Sequence, residues 1–417
     1  MTTMTKGQLK ALEAFRSGRN VFLSGEAGTG KSFILNHFLG ELPPDSCTLV
    51  CAPTGIAAIN VHGATMHRTF GIPPRPLISN DEPKQLSKEL LQAKRIVIDE
   101  ISMCRFDVFD FVARCILKAE RISGIHKQLI LIGDFFQLPP VLRDEDRVIL
   151  CQHWGEDCVG DGYAFRAPRW KDFDFVNVLL TEQVRQQDDA DFAAHLNAIR
   201  TGDSSAIKWF NRHAARDVQQ GISLCPTNRE AAAINAKAVS LLPGVPTTFR
   251  SYCTGKVSPS DKPTEDILTL KPGMRVMSLV NDRENRYQNG SLGTIKSISE
   301  ESRSITVLFE NGQCASISPF TWEITEPSLN NEGHIEMKTI GTFVQLPVRV
   351  AYAITIHKSQ GQTFSSANLS PSCFAMGQLY VAMSRLTSIS GLHLTKKINP
   401  KYLKTSQDVL EFYRNIG

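Results

Sequence analysis

An α/β fold built on a parallel, doubly wound sheet is what this sequence predicts, and three observations predict it. Short apolar runs rich in branched residues recur at 21–23, 48–51, 96–98, 129–132 and 176–180. Helical patterns lie between them, at 32–39 and 106–118, with apolar positions returning at three and four. A glycine-rich loop separates the first run from the first of these helices. Strands covered by helices on both faces lose polar alternation and read as continuous apolar runs, as these do.

At 417 residues the chain exceeds what one hydrophobic core organises, so more than one domain is expected. Hydrophobic residues make up 42% and charged residues 21%, which excludes a disordered chain. The net charge of +4 selects neither nucleic acid nor membrane, because a basic groove can hide in a balanced total. No run approaches the roughly 18 uninterrupted apolar residues that span a bilayer. Residues 1–10, MTTMTKGQLK, hold no apolar signal core, so a cytoplasmic protein without membrane contact is expected. Ten cysteines occur singly, with no CxxC pair, which argues against a disulfide framework. Cys151, His153 and Cys158 come nearest to a metal set and read as loop and core residues.

The run at 21–23 leads into Gly25-Glu26-Ala27-Gly28-Thr29-Gly30-Lys31-Ser32, the pattern GxxxxGK[ST], and a helix follows at once. Glycines let such a loop curl so that backbone N–H groups face phosphate oxygens at a helix N-terminus. Lys31 would reach the β- and γ-phosphates, and Ser32 would ligate Mg²⁺. The run at 48–51 ends in Ala52-Pro53-Thr54-Gly55, at a strand edge where ligands of this fold class gather. The run at 96–98 ends in Asp99 and Glu100. These carboxylates suit a metal shell and a catalytic water, or else the start of a helix.

After 129–132 comes Gly133-Asp134-Phe135-Phe136-Gln137-Leu138-Pro139-Pro140, whose Gln137 can sense a γ-phosphate and whose aromatics can stack on a base. After 176–180 comes Thr181-Glu182-Gln183-Val184-Arg185-Gln186, and much later Tyr380-Val381-Ala382-Met383-Ser384-Arg385. Arg185 and Arg385 are both candidates for an arginine finger.

The texture changes near residue 271. Strand candidates at 274–280, 294–298, 305–309 and 314–317, with Asn289-Gly290 and Asn311-Gly312 turns, predict a small β-barrel insertion over about 272–342. Strand returns at 344–356 and 392–395, and a helix is expected at 376–385. At the end of the first of these and running beyond it, AITIHKSQGQTF sets apolar Ala353, Ile354 and Ile356 among the donors Thr355, His357, Lys358, Ser359 and Gln360. It reads either as a strand surfacing at Gly361 or as a phosphate-facing site.

Taken in order, GEAGTGKS, APTGIAA, VIDEISM, GDFFQLPP, TEQVRQ, NGSLGTI, AITIHKSQGQTF and LYVAMSR resemble the motif series of the Pif family of superfamily-one DNA helicases, relatives of the RecD helicases. The resemblance covers nearly the whole chain. It implies two RecA-like P-loop domains, 1–180 and 181–417, with a wedge insert at about 61–92 and an SH3-like barrel at about 272–342. It implies ATP and Mg²⁺ in the cleft between them. Gln8 would read the adenine, and Gly25, Gly28, Thr29, Gly30, Lys31 and Ser32 would hold the phosphates. Ser32 and Asp99 would hold the metal, and Glu100 the catalytic water. Gln137, Arg185 and Arg385 would approach the γ-phosphate, with Gln360 and Gly361 facing the same cleft.

Single-stranded DNA would cross Pro53, Thr54, Thr65, His67 and Phe136 in the first domain and His357, Lys358 and Ser359 in the second. For His67 and Phe136 a core position is the open alternative. The activity implied is five-prime to three-prime translocation and duplex unwinding at single-strand/double-strand junctions, by a monomer open to protein partners. A translocase without unwinding, or a RecD-like subunit of a larger complex, is the alternative. DNA repair, recombination and telomere maintenance are the settings implied, and no residue chooses among them.

Overall fold

The structure, a computed structural model, describes residues 4–43, 45–186, 188–217 and 221–416. Its first sheet contains β1 (Val21–Gly25), β2 (Thr48–Ala52), β3 (Ala64–Thr65), β4 (Arg95–Ile98), β5 (Gln128–Ile132) and β6 (Val176–Leu180). Their spatial order is β3-β2-β4-β5-β1-β6 and every pairing is parallel. All five residues of β1 and of β5 are buried, as expected for strands with helices on both faces. The order places β4, β5 and β1 side by side. The loops that leave them, carrying Asp99-Glu100, residues 133–140 and the glycine-rich loop, therefore meet at one edge of the sheet, where ligands of this fold class bind.

A second parallel sheet follows, with Ala353–Thr355, Ile222–Cys225, Ala367–Leu369 and Leu392–Leu394 in that spatial order. Between Ile222–Cys225 and Ala353–Thr355 the chain makes an antiparallel β unit. Five strands, Arg275–Ser278, Leu292–Ser299, Ser304–Phe309, Cys314–Ile317 and Val348–Val350, enclose a core of their own around Val276, Ile295, Val307 and Phe309. Gly290 and Gly312 have φ of 92° and 83°, the left-handed turn geometry that favours Asn-Gly. The hairpin Phe320–Leu329/Ile335–Gln345 extends from this unit toward β3 and packs there. The α/β architecture with a β insertion in its second half is thus the one the apolar runs announce.

Two expected elements differ. The strand expected at 344–356 is three strands in three sheets: Ile335–Gln345, Val348–Val350 and Ala353–Thr355. Pro347, which has no N–H to give a ladder, separates the first two. The helix expected at 376–385 is shorter, Gln378–Met383, and the side chain of Arg385 turns back to the Val381 carbonyl.

Residues 64–65 of the 61–92 segment pair with β2, and the proline-rich stretch after Phe70 is tied to the helix Phe106–Ser123. Asp107 accepts from Leu77 N–H at 2.9 Å, Arg114 donates to the Ser79 carbonyl at 2.7 Å and Lys118 to that of Pro83 at 2.7 Å. A stretch with little secondary structure is so held by side chains that satisfy its backbone. The C-terminal helix Gln407–Ile416 returns to the first domain. Val409, Phe412, Tyr413 and Ile416 share one face at helical spacing, and Phe412 stacks on Phe165 with centroids 4.3 Å apart. Asp408 accepts from Asp161 N–H and pairs with Arg166 at 3.6 Å.

Candidate functional site

The loop after β1 has Gly28 and Gly30 at φ of 87° and 85°. A Cβ at Gly28 would lie 2.6 Å from Arg185 Cβ, so space and φ both require glycine there; at Gly30 a Cβ would meet only the end of the Gln8 side chain, at 2.4 Å, and φ decides. Lys31 Nζ donates to the carbonyls of Gly25 and Glu26 at 2.8 and 2.9 Å, folding back over its own loop. Burial holds its ammonium below the usual lysine range, while Asp134 and Glu100 pull it back up. Thr29 Oγ1 closes the loop onto the Glu26 carbonyl. Gln8 is buried with both ends of its amide engaged: Oε1 accepts from Thr5 N–H at 3.1 Å and Nε2 donates to the Thr29 carbonyl at 3.0 Å. It closes a capping box and props the loop, with one amide N–H and one oxygen lone pair left uncommitted.

At the end of β4, Asp99 Oδ1 accepts from Glu100 N–H at 2.9 Å. Glu100 itself sits at φ 52°, a left-handed conformation that costs a non-glycine residue about 1–2 kcal/mol. Burial, with the charge of Glu100 added, pushes Asp99 up to about 7. Glu100 is also raised by burial, against the pull of Lys31 and Arg385. Gln137 is buried in a turn whose N–H bonds the Asp134 carbonyl at 2.9 Å.

Arg185 follows β6 of the first sheet by five residues, and Arg385 arrives from the second half of the chain. Arg185 Nη1 donates to the Ser384 carbonyl at 2.8 Å, and Arg385 Nη2 to Ser384 Oγ at 2.8 Å. Burial, reinforced by the charge of Arg185, brings Arg385 down to about 9. Gly28, Lys31, Ser32, Glu100, Gln137, Arg185, Gly361 and Arg385 line one cavity of about 510 Å³. Three cations crowd it against one lining carboxylate, Glu100. The electrostatic deficit is that of a polyanion site, and a triphosphate fits it. One buried carboxylate, Asp99, and the exposed Ser32 hydroxyl fit Mg²⁺, which takes few protein ligands when phosphates supply the rest. Gln360 lies beside this cavity with its Nε2 buried and without a protein partner among the described residues.

A second cavity, of about 440 Å³, is lined by Pro53, Thr54, His67 and His357 together with Arg75, Arg105 and Arg143. Thr54 Oγ1 caps the helix Gly55–Asn60, accepting from Ala57 N–H at 3.3 Å, and keeps its own proton to donate. Lys358 belongs to a neighbouring cavity with Arg349, and Thr65 to one under the β hairpin. The 353–364 segment combines both of its readings. Ala353–Thr355 is a buried strand, and His357 and Lys358 emerge exposed at its end. Two residues expected on the DNA path are placed otherwise. Ser359 is buried with its hydroxyl on the Ile356 carbonyl at 2.7 Å. Phe136 is 6% exposed, stacked on Tyr413 at 4.8 Å and covered by the Arg200 guanidinium at 4.2 Å, so it offers no face to a base.

Some residues at the site carried no expectation. Tyr380 Oη accepts from Ala27 N–H at 2.8 Å, Gln183 Nε2 bonds the Glu26 carboxylate, and the N–H groups of Val184 and Arg185 reach the Gly28 carbonyl. Tyr380 and Gln183 lay inside motifs already marked. Their partners lay far off in the chain.

Comparison with known proteins accords with this geometry. A family model described as PIF1-like helicase matches residues 4–208. ATP-dependent DNA helicase PIF1 of Danio rerio is 32% identical over 99% of this chain, which spans 64% of that relative's length. ATP-dependent DNA helicase Pif1 of Bdellovibrio bacteriovorus is 31% identical over 98% of this chain and 91% of its own. The chain belongs to the PIF1-like helicase family. Pif1 of Bacteroides sp. in complex with ADP-AlF4 matches it with a TM-score of 0.87 at 32% identity, covering 100% of this chain and 97% of that one. The same Pif1 bound to single-stranded DNA gives 0.69, at the same identity and coverage. Unliganded Pif1 of Bacteroides sp. gives 0.85, so this PIF1-like chain lies nearer the unliganded arrangement than the DNA complex. Among its described residues no helix is long and apolar enough to cross a membrane.

Proposed function

We propose that this chain is an ATP-dependent DNA helicase that translocates on single-stranded DNA and opens duplex at its junctions. One observation carries the reading: Lys31, Glu100 and Gln137 on loops of the first sheet, Arg185 just after β6, and Gly361 and Arg385 of the second half line one cavity. A cavity built from both halves changes with their separation, so hydrolysis in it can drive relative motion. The groove holding Pro53, Thr54, His67 and His357 also draws on both halves, and arginines at its rim suit a phosphate backbone.

In this reading Lys31 and the loop amides hold the β- and γ-phosphates. Mg²⁺, held by Ser32 and Asp99, would neutralise developing phosphate charge. Glu100 takes the proton of the attacking water as its oxygen bonds phosphorus and the bond to the β-phosphate oxygen breaks, leaving ADP and phosphate. Arg185 and Arg385 stabilise charge on the transferred group, and Gln137 orients it. Bound phosphate would also restore Arg385 toward its usual pKa.

Part of this rests on the family resemblance: five-prime to three-prime travel, the domain limits 1–180 and 181–417, the wedge at 61–92 and the SH3-like character of 272–342. All ten cysteines are free thiols, which supports a reducing compartment such as the cytoplasm. Unwinding of duplexes bearing a five-prime or a three-prime single-stranded tail, with ATP and Mg²⁺, tests the reading. Opening of the five-prime-tailed substrate alone is expected; ATP turnover with no opening of either would leave a translocase.

A further inference from the structure

The turn that carries Gln137 to the cavity is gripped from behind by the end of the chain. Tyr413, on the C-terminal helix, stacks on Phe136 at 4.8 Å, and its hydroxyl accepts from Phe135 N–H at 3.3 Å. The same hydroxyl meets Ser24 Oγ, the residue directly before Gly25 of the phosphate loop. Arg200 covers the Phe136 ring at 4.2 Å and pairs with Asp134, which is fully buried, at 3.0 Å. Gly377 comes so close that a Cβ there would lie 2.3 Å from the Phe136 carbonyl oxygen.

We propose that Tyr413, braced by Arg200, is a positioning residue for ATP hydrolysis. It acts through Ser24 on the phosphate loop and through Phe135 and Phe136 on Gln137, so turnover depends on a docked C-terminal helix. The inference rests on the ATPase reading above. Its physical basis is that two groups of the hydrolytic machinery leave neighbouring strands, β1 and β5, and a single hydroxyl ties the two strand ends together. Small misplacements of reacting groups cost turnover out of proportion to the bond that is lost. The ring stack fixes where that hydroxyl stands, and the Arg200–Asp134 pair fixes the far side of the turn.

Tyr413→Phe keeps the stack and removes the hydroxyl; Ser24→Ala removes its partner. DNA-stimulated ATP turnover, KM for ATP, single-strand affinity and the thermal midpoint are measured in the full chain for both and for the double variant. Tyr413→Phe is expected to lower kcat about 3- to 10-fold, the range of one hydrogen bond. KM and DNA affinity should hold, Ser24→Ala should give part of the loss because the Phe135 contact remains, and the double variant should lose no more than Tyr413→Phe. Unchanged kcat in Tyr413→Phe, losses that multiply in the double variant, or a loss that simply follows a fallen thermal midpoint would each overturn the inference. Absence of turnover in the unsubstituted chain would instead overturn the ATPase reading, and the inference with it.

Discussion

Ala27 N–H and Tyr380 Oη meet at 2.8 Å across 353 residues of sequence. The bond joins the glycine-rich loop of the first sheet to the helix that delivers Arg385, so the two halves of the candidate ATP site touch directly. Both residues are buried, and no water competes for the N–H group.

Tyr380→Phe leaves that N–H without its partner in a buried site. Loss of about 1–3 kcal/mol of stability is expected, read as a lower denaturation midpoint. Unchanged unfolding would mean that the contact forms only in this arrangement of the domains and contributes nothing to the resting fold.

Lys31→Ala removes the ammonium that bridges the Gly25 and Glu26 carbonyls. The cavity containing it shares no lining residue with the groove at His67 and His357. ATP turnover should fall at least about a hundredfold, the scale of a lost transition-state charge contact, while single-strand binding persists. Filter binding of labelled single strands checks the second half of this statement; loss of both in a folded variant contradicts it.

The Asp99 carboxyl, raised to about 7, predicts a pH-dependent demand for Mg²⁺. Below that value it carries a proton that the metal must displace, so apparent Mg²⁺ affinity should drop about tenfold per pH unit. The sign for stability follows from the same shift. Because the folded value exceeds the unfolded one, this group favours folding most below the unfolded pKa, and that contribution is lost as pH rises through about 7. Mg²⁺ titrations of ATP turnover on either side of about pH 7 check it; equal half-saturation at both would show that Asp99 does not meet the metal.

His357→Ala with Lys358→Ala should weaken single-strand binding and shallow its salt dependence by about one phosphate contact. Partial desolvation of a ring that still reaches solvent, with the neighbouring Lys358, holds His357 below the usual histidine value, and partial desolvation with Arg105 does the same for His67. Both are neutral at slightly alkaline pH, where Lys358 supplies the charge. Phosphate contact favours the protonated ring, so affinity in the unsubstituted chain should rise as pH falls below about 6.5. A salt slope identical in the double variant and the parent would remove this pair from the DNA path.

Much of this site was legible in sequence because its parts are local. Gly28, Gly30 and Lys31 follow one strand, and Asp99 and Glu100 follow another, so apolar runs and short motifs sufficed to mark them. Side-chain direction was not legible. Phe136 and Ser359 sit in the right motifs, yet Phe136 lies between Tyr413 and Arg200, and Ser359 Oγ bonds Ile356. Tyr413 carried no signal at all, because its contact with Ser24 spans 389 residues and an aromatic on an amphipathic helix reads only as core. The break at Pro347 was visible, but the change of sheet on either side of it depends on the β unit as a whole.

The central claim is that cations from both halves and Glu100 form one DNA-coupled ATP hydrolysis site. Steady-state ATP hydrolysis by the purified chain, alone, with single-stranded DNA and with single-stranded RNA of matched sequence, tests it most directly. Turnover that rises strongly with DNA, and is lost in Arg385→Ala, is the predicted result. A folded chain that binds ATP and hydrolyses it no faster with either polymer would contradict it.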